Sequence, residues 1–245
     1  MSSFHLIMPM GGNGSRFSDR GYDLPKPLIP IYGKPFLYWS TQSILKFHNV
    51  IDITFVILEE HVKKYSLDKK ILEFFPNAKI VKLNHVLNGP VLTCLEGVKN
   101  INDDYPVLFN DCDHLFKSQS FNDACKTGLI NGVDGALITF KSNLPHFSYV
   151  KYSGKKVVGT VEKSVVSHDA ICGAYLFKNA NQFRELASSY LSNCEYNEYF
   201  ISGMFNEMAK RNTSISIFPV DYHVPFGTPE EYEIAIFDLH YKELE

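Results

Sequence analysis

Three clusters in this chain combine residue types and spacings suited to chemistry on phosphates. The first is Met10-Gly11-Gly12-Asn13-Gly14-Ser15-Arg16-Phe17, with three glycines in four residues. Such a run lets successive backbone N–H groups converge on one anion as a nest. Arg16 adds a permanently charged, planar fork suited to a polyphosphate. Taken alone, the glycines also suit a tight turn with positive φ. Neither familiar phosphate loop is present: no G-x-x-x-x-G-K-[ST] string occurs, and Phe17 stands where the dinucleotide fingerprint needs its third glycine. The second cluster, Leu24-Pro25-Lys26-Pro27-Leu28-Ile29-Pro30, sets one lysine between two prolines. The rings predict a rigid extended segment that excludes helix and limits where the charge can go. The third, Asn110-Asp111-Cys112-Asp113-His114, carries two carboxylates, the hard ligands that Mg²⁺ takes together with phosphate oxygens and water. Aspartates also cap and turn chains after strands, so this cluster has a plainer reading as well.

These residues need elements to position them, and the hydrophobic pattern supplies those elements. Apolar runs predict strands over Phe4–Met8, Ile53–Leu58, Ala78–Leu83 and Tyr105–Phe109. Helical spacing predicts helices over Pro35–Phe47, Lys63–Phe75 and Pro90–Val98. Alternating strands and helices imply a three-layer α/β sheet with right-handed crossovers and ligands at the carboxyl ends of the strands. The glycine loop follows the first strand and the aspartates follow the fourth. From about Gly135 the texture turns to short β pieces (Ala136–Phe140, Ser148–Lys151, Val157–Glu162, Ile171–Phe177), with helices near Gln182–Leu191 and Glu198–Lys210. With no internal repeat and no low-complexity linker, residues 1–245 are expected to form a single domain.

Composition removes several classes of function. With 24 basic against 27 acidic residues, a net charge of −3 gives no global case for nucleic acid. No apolar run approaches the roughly 20 residues of a membrane span, and the start has no basic n-region, so a cytoplasmic protein is expected. Five cysteines (Cys94, Cys112, Cys125, Cys172, Cys194) contain no C-x-x-C pair, against both a disulfide framework and a zinc ribbon. The nine histidines form no metal-binding pair and are expected to be packing or surface residues. Cys112 has no histidine placed by motif to activate it as a nucleophile. A dinucleotide-dependent oxidoreductase would need the third glycine and an acidic residue about 20 positions after the loop, and both are missing.

The succession G-G-x-G-S-R-F, then P-K-P-L-I-P, then G-K-P resembles the nucleotidyltransferase family that activates sugar phosphates and related acceptors. The resemblance runs from Ile7 to Glu231. It implies a Rossmann-like three-layer α/β nucleotidyltransferase fold with a mostly parallel central sheet and a β-rich acceptor-side extension. It further implies an NTP-binding part over 1–134 and an acceptor-binding part over 135–245. Met10, Gly11, Gly12, Asn13, Gly14, Ser15 and Arg16 would hold the triphosphate, and Lys26 would lie at the α-phosphate. The segment NHVLNGPVLTCLE makes Asn88 and Gly89 candidates for base contact, although Gly89 and Pro90 would also suffice simply to start a helix. By the same resemblance Asp113 is the metal ligand, with Asp111 two residues early. Arg16, Lys26 and Asp113 are then the catalytic residues. Glu162, Lys163, Gly173 and Glu198 match the acceptor-side elements, with Lys163 on the acceptor phosphate. Gly227-Thr228-Pro229-Glu230-Glu231 matches the G-T-P-E close that starts the last helix.

One position departs from the pattern. Many sugar-phosphate members carry a second metal carboxylate two residues before that glycine, where this chain has Pro225. Glu198, Asp221 or Asp111 could supply the ligand, or Asp113 could serve one ion with water. Within the family, the chain is similar to small bacterial cytidylyltransferases of capsule assembly. That implies CTP as donor, phosphoglutamine as acceptor and Mg²⁺ as cofactor, with the oligomeric state, a homo-oligomer included, left open. A hexose-1-phosphate nucleotidylyltransferase is the alternative, and a non-catalytic nucleotide sensor on the same fold is the alternative of a different class.

Overall fold

The computed structural model describes residues 2–245. The chain begins with β1 (Ser3–Met10), the short α1 (Ser15–Ser18), a single 3₁₀ turn at Lys26–Leu28, and the small hairpin β2 (Pro30–Ile31) and β3 (Lys34–Pro35). It continues through α2 (Phe36–Leu45), β4 (Asn49–Leu58), α3 (Glu59–Tyr65), α4 (Leu67–Phe74), β5 (Lys79–Leu83) and α5 (Pro90–Val98). Then come β6 (Val107–Asn110), β7 (His114–Lys117), α6 (Gln119–Thr127), β8 (Gly135–Lys141), β9 (Ser148–Ser153), β10 (Lys156–Glu162) and β11 (Asp169–Phe177). The last elements are α7 (Ala180–Asn193), α8 (Met204–Lys210), β12 (Ile215–Pro219), β13 (Tyr222–Pro225), α9 (Pro229–Ala235) and α10 (Tyr241–Leu244).

The main sheet has nine strands. Its parallel half runs β6-β1-β4-β5, and β11 joins β6 antiparallel, carrying β8, β9, β10 and β12 beyond it. The expected α/β class and the parallel central sheet with a β-rich extension are both observed. Apolar runs in β1 and β4 reflect burial on both faces. Ile7 and Val56 enter one core with α5, α7 and α8, while Leu6, Met8, Phe55 and Ile57 enter the other with α2, α4 and α6. A third cluster, with Phe17, Phe36, Trp39, Phe226 and Tyr241, packs the glycine-loop helix against the C-terminal helices.

From β1 the chain crosses to β4 on one side, while β6 pairs with β1 on the other (His5↔Val107 to Ile7↔Phe109). That makes the carboxyl ends of β1 and β6 a topological switch point, where such sheets open a crevice.

Several sequence expectations are corrected. The segment around Lys26 is not wholly extended. Leu28 N–H donates to the Pro25 carbonyl (2.8 Å) and closes one 3₁₀ turn. Pro27 is tolerated there because it falls in a first turn, where a missing N–H forfeits no hydrogen bond. The helix expected over Lys63–Phe75 is two helices broken at Ser66, which is left-handed at φ 53°. The helix expected from Glu198 begins only at Met204, because 198–203 is held in turns. The G-T-P-E segment starts α9, but α10 follows it.

Candidate active site

A cavity of about 560 Å³ opens at the carboxyl ends of β1 and β6. Met10, Gly11, Gly12, Asn13, Gly14 and Ser15 form one wall, Lys26 and Pro27 a second, and Asn88, Gly89 and Pro90 a third. A smaller cavity of about 160 Å³ adjoins it and is lined by Arg16, Gly173, Pro225 and Glu231 among others. Asp111 and Asp113 line both, so the two carboxylates stand at the boundary between the chambers.

Local structure explains each placement. Gly14 sits at φ +67°, a conformation that favours glycine, and a Cβ there would press on Lys26 Cβ at 3.1 Å. Gly89 opens α5 at φ +97°, and a Cβ there would strike the Tyr199 nitrogen at 2.4 Å. Around this close approach Tyr199 N–H donates to the Asn88 carbonyl (3.3 Å) and Val91 N–H donates to the Tyr199 carbonyl (3.0 Å). The turns at 198–203 thereby bring Glu198 onto the larger cavity, beside the glycine loop and Asn88.

Lys26 Nζ donates to Asp113 Oδ2 at 2.7 Å, with the two side chains 26% and 23% exposed. Burial opposes the lysine's charge, but Asp113, with Cys112 and Asp111, outweighs it and raises the ammonium well above its usual range. Burial likewise opposes the Asp113 carboxylate, while Lys26 first and then Arg16 pull it below the usual value. Asp111 moves the other way: burial and the adjacent Asp113 charge raise it, against Lys26. Two carboxylates at one boundary, one of them driven toward protonation by burial and by the charge of the other, form a donor set that a hard divalent cation would relieve. Among the described residues no three His, Cys, Asp or Glu side chains are grouped to hold a metal alone, so any such cation would need substrate oxygens and water as well.

Of the three alternatives to the position of Pro225, Asp111 is the one beside Asp113. Asp221 is engaged elsewhere, accepting from the Gln119 N–H that starts α6 (2.7 Å). Glu198 faces the larger cavity. Pro225 itself pairs with His114 across the small β13–β7 ladder. Burial pushes the Cys112 thiol up to about 12, which leaves it a poor nucleophile at neutral pH.

Not every sequence candidate lies on these walls. Glu162 accepts hydrogen bonds from the Ser148 and Ser202 hydroxyls, and the Lys163 ammonium lies over the Phe200 ring at 5.2 Å. Neither lines either cavity. Sequence reasoning missed Thr93 on the larger cavity and Glu231, His146, His114 and His223 on the smaller one. Glu231 had a signal: in T-P-E-E it completes a capping box with Thr228, and its Oε2 accepts from the Gly227 and Thr228 N–H groups (3.0 and 3.1 Å). The histidines had none: His114 and His223 are brought together by the pairing of β7 with β13, and His146 by the loop before β9.

A sheet that brings a glycine loop, a lysine and two carboxylates to a cavity at its carboxyl edge defines a nucleotide-handling transferase. Residues 5–238 match the Nucleotidyl transferase family, and the chain belongs to it. A mannose-1-phosphate guanyltransferase candidate from Sulfolobus acidocaldarius is 22% identical over 182 residues, covering 70% of this chain and 48% of that protein. The chain thus spans about half the length of that curated relative. Among solved structures, the nucleoside-diphosphate-sugar pyrophosphorylase of Vibrio cholerae RC9 superposes with a TM-score of 0.82 at 20% identity, covering 95% of this chain and 100% of that one. The inositol-1-phosphate CTP transferase of T. maritima gives 0.72 at 15% identity, covering 100% and 94%. At these identities the superpositions define the fold.

Proposed function

We propose that this enzyme transfers a nucleoside monophosphate from an NTP to a phosphorylated acceptor and releases pyrophosphate. The donor is CTP, the acceptor phosphoglutamine and the product CDP-glutamine, for modification of capsular polysaccharide in the cytoplasm. The observation that carries the reading is the Lys26–Asp113 pair, with Asp111, at the boundary of two cavities of which one is walled by the glycine loop. In this reading the chain is one domain, residues 1–134 providing most of the donor side and 135–245 most of the acceptor side, with Glu198 crossing to the donor.

An oxygen of the acceptor phosphate attacks the α-phosphorus in line, the bond to the bridging oxygen breaks, and pyrophosphate leaves with that electron pair. No covalent intermediate with the enzyme is needed. The loop N–H groups bind and orient the polyphosphate, with Arg16 reaching it from the adjoining smaller cavity, while Lys26 counters the charge that grows on the α-phosphate. The ion pair keeps Lys26 protonated and Asp113 ionised, the states that these two roles require. Asp113 and Asp111 would hold Mg²⁺, which supplies further neutralisation of phosphate charge when bound. Asn88 and Gly89 would meet the base. Glu162, Lys163 and Gly173 belong to the acceptor side in this scheme.

CTP and phosphoglutamine rest on overall sequence similarity to capsule cytidylyltransferases. The names of the guanyltransferase relative and the Vibrio neighbour favour a second reading, a hexose-1-phosphate nucleotidylyltransferase. The intact Lys26–Asp113 pair speaks against a sensor that has lost catalysis. A pyrophosphate-release matrix of four NTPs against phosphoglutamine, hexose 1-phosphates and phosphocholine decides among these. The highest kcat/KM is expected for CTP with phosphoglutamine. A hexose 1-phosphate ranking first would replace the acceptor, and no release from any pair would leave the sensor.

A further inference from the structure

Two imidazoles form part of the wall of the smaller cavity and have no hydrogen-bond partner among the described residues. His114 on β7 is 2% exposed, and His223 lies diagonally across on β13 with its ring centroid 5.4 Å away. All four ring nitrogens are shielded from solvent and unpaired among the described residues. Buried polar atoms are usually paired, and four unpaired nitrogens on two adjacent rings at one cavity wall single this place out among the unpaired atoms of the described residues as one that a bound group or water would complete. Packing does not explain the choice of histidine. His114 stacks on Phe116 (5.7 Å) and His223 meets Phe140 (4.3 Å), contacts that apolar rings would make without stranding a nitrogen.

The surroundings fit a small organic group. The cavity of about 160 Å³ is close in size to the roughly 150 Å³ void that accepts a benzene ring. Gly173, at φ +88°, leaves open the space between the aspartates and the histidines. A Cβ there would lie 2.8 Å from Asp111 Oδ2 and 3.3 Å from His114 Nε2.

We propose that His114 and His223 determine acceptor specificity by hydrogen-bonding a neutral carboxamide or hydroxyl at the end of the acceptor remote from its phosphate. This rests on the nucleotidyl-transfer reading above. A neutral imidazole offers one N–H and one lone pair, so the pair presents two donors and two acceptors. A carboxamide or hydroxyl, each with both capacities, pairs with one nitrogen of each ring after a small inward movement of the wall. A quaternary ammonium has neither capacity and leaves the nitrogens stranded, the circumstance in which binding sites discriminate most strongly.

The test is pyrophosphate release at saturating CTP with phosphoglutamine, glucose 1-phosphate and phosphocholine. Wild type, His223→Phe and His223→Gln are compared, with the CTP Kd and the Tm measured for each. His223→Phe keeps the ring that packs on Phe140, and His223→Gln restores a donor and an acceptor. For the preferred hydrogen-bonding acceptor, His223→Phe should raise KM by about tenfold or more, as expected when a buried partner is lost. In that variant kcat and the CTP Kd should hold within about threefold, the margin over phosphocholine should narrow, and His223→Gln should recover part of the KM. An unchanged acceptor KM in both variants, with wild type active, overturns the subsite alone. A loss of kcat, CTP affinity and Tm together overturns it in favour of a structural role. No pyrophosphate from wild type with any pair overturns the transfer reading instead.

Discussion

Lys26 and Asp113 each need a charge that burial opposes, and each supplies it to the other across 2.7 Å. That reciprocity sets expectations for single substitutions. Charge on the α-phosphate oxygens is greater in the transition state than in the bound substrate, so a fixed cation there lowers the barrier more than it improves binding. Lys26→Ala should therefore reduce kcat by roughly 10²-fold or more while the NTP Kd, measured by calorimetry, changes far less. Lys26→Arg should rescue poorly, since a wider fork cannot bring its charge to the same point. A hundredfold rise in Kd with normal kcat would make Lys26 a binding residue only. Asp113→Asn keeps the side-chain shape and removes the charge. Turnover should fall by about two orders of magnitude or more, and Tm should fall as well, because Lys26 loses its nearest carboxylate and keeps only Asp111 as a counter-charge. Near-normal turnover in saturating Mg²⁺ would transfer the metal role to Asp111.

At the scale of elements, most of the frame that holds these residues was legible and some of its joints were not. Strands buried on both faces announce themselves as apolar runs, so β1, β4, β6 and β11 were found, and with them the two loops that matter. The hairpin-like pair β7 and β13 was missed. Each has four residues, and its partner lies about a hundred positions away, which leaves no local pattern to read. The break at Ser66 was equally invisible, because a non-glycine residue in the left-handed region carries no composition signal. The prolines around Lys26 predict an extended segment, whereas the 3₁₀ turn found there depends on a carbonyl at Pro25 that proline chemistry does not by itself predict. Gly89 was open to two explanations, a helix start or a base contact, and packing now adds a requirement that neither included. Tyr199's backbone crosses so close that only glycine fits. Gly89→Ala should accordingly lower Tm and weaken NTP binding together, since restoring space means moving the 198–203 turns that wall the cavity. Melting curves and a CTP titration check this. An alanine variant with wild-type Tm and affinity would show that the turn yields without consequence.

The whole molecule divides its sheet by end. The carboxyl ends of β1 and β6 carry the open chambers, whereas the opposite end is fastened by one buried histidine. His5 on β1 bonds Asp52 of β4 through Nδ1 (2.7 Å) and Asp103, in the loop before β6, through Nε2 (3.0 Å). Asp52 in turn pairs with Lys79 of β5, so one cluster spans the whole parallel half. Burial disfavours the His5 charge, but the two carboxylates outweigh it and hold its pKa above the usual 6.5. Asp52 is drawn down to about 2, by the His5 hydrogen bond first, against burial, and then by Lys79. A histidine whose pKa is raised on folding contributes stability that is complete below 6.5 and is lost as pH rises through its folded value. The depressed aspartate contributes stability that is complete above its unfolded value of 3.8 and is lost as pH falls toward 2. The fastening is therefore strongest between these limits and weakens on the alkaline side first under working conditions. Wild-type Tm should fall between about pH 6 and about pH 9 more steeply than that of His5→Gln, which keeps a hydrogen-bonding side chain but has no proton to lose. For a chain of this size each 1 kcal/mol of lost stability corresponds to roughly 2–4 °C. Because the cluster lies at the end of the sheet away from Lys26 and Asp113, His5→Gln should leave kcat near neutral pH within about twofold at temperatures well below Tm. Calorimetric melts across the pH range, run beside initial rates, test both halves. Parallel Tm profiles for the two proteins would remove His5 as the source of the pH dependence, and a large fall in kcat would mean that the two ends of the sheet are not independent.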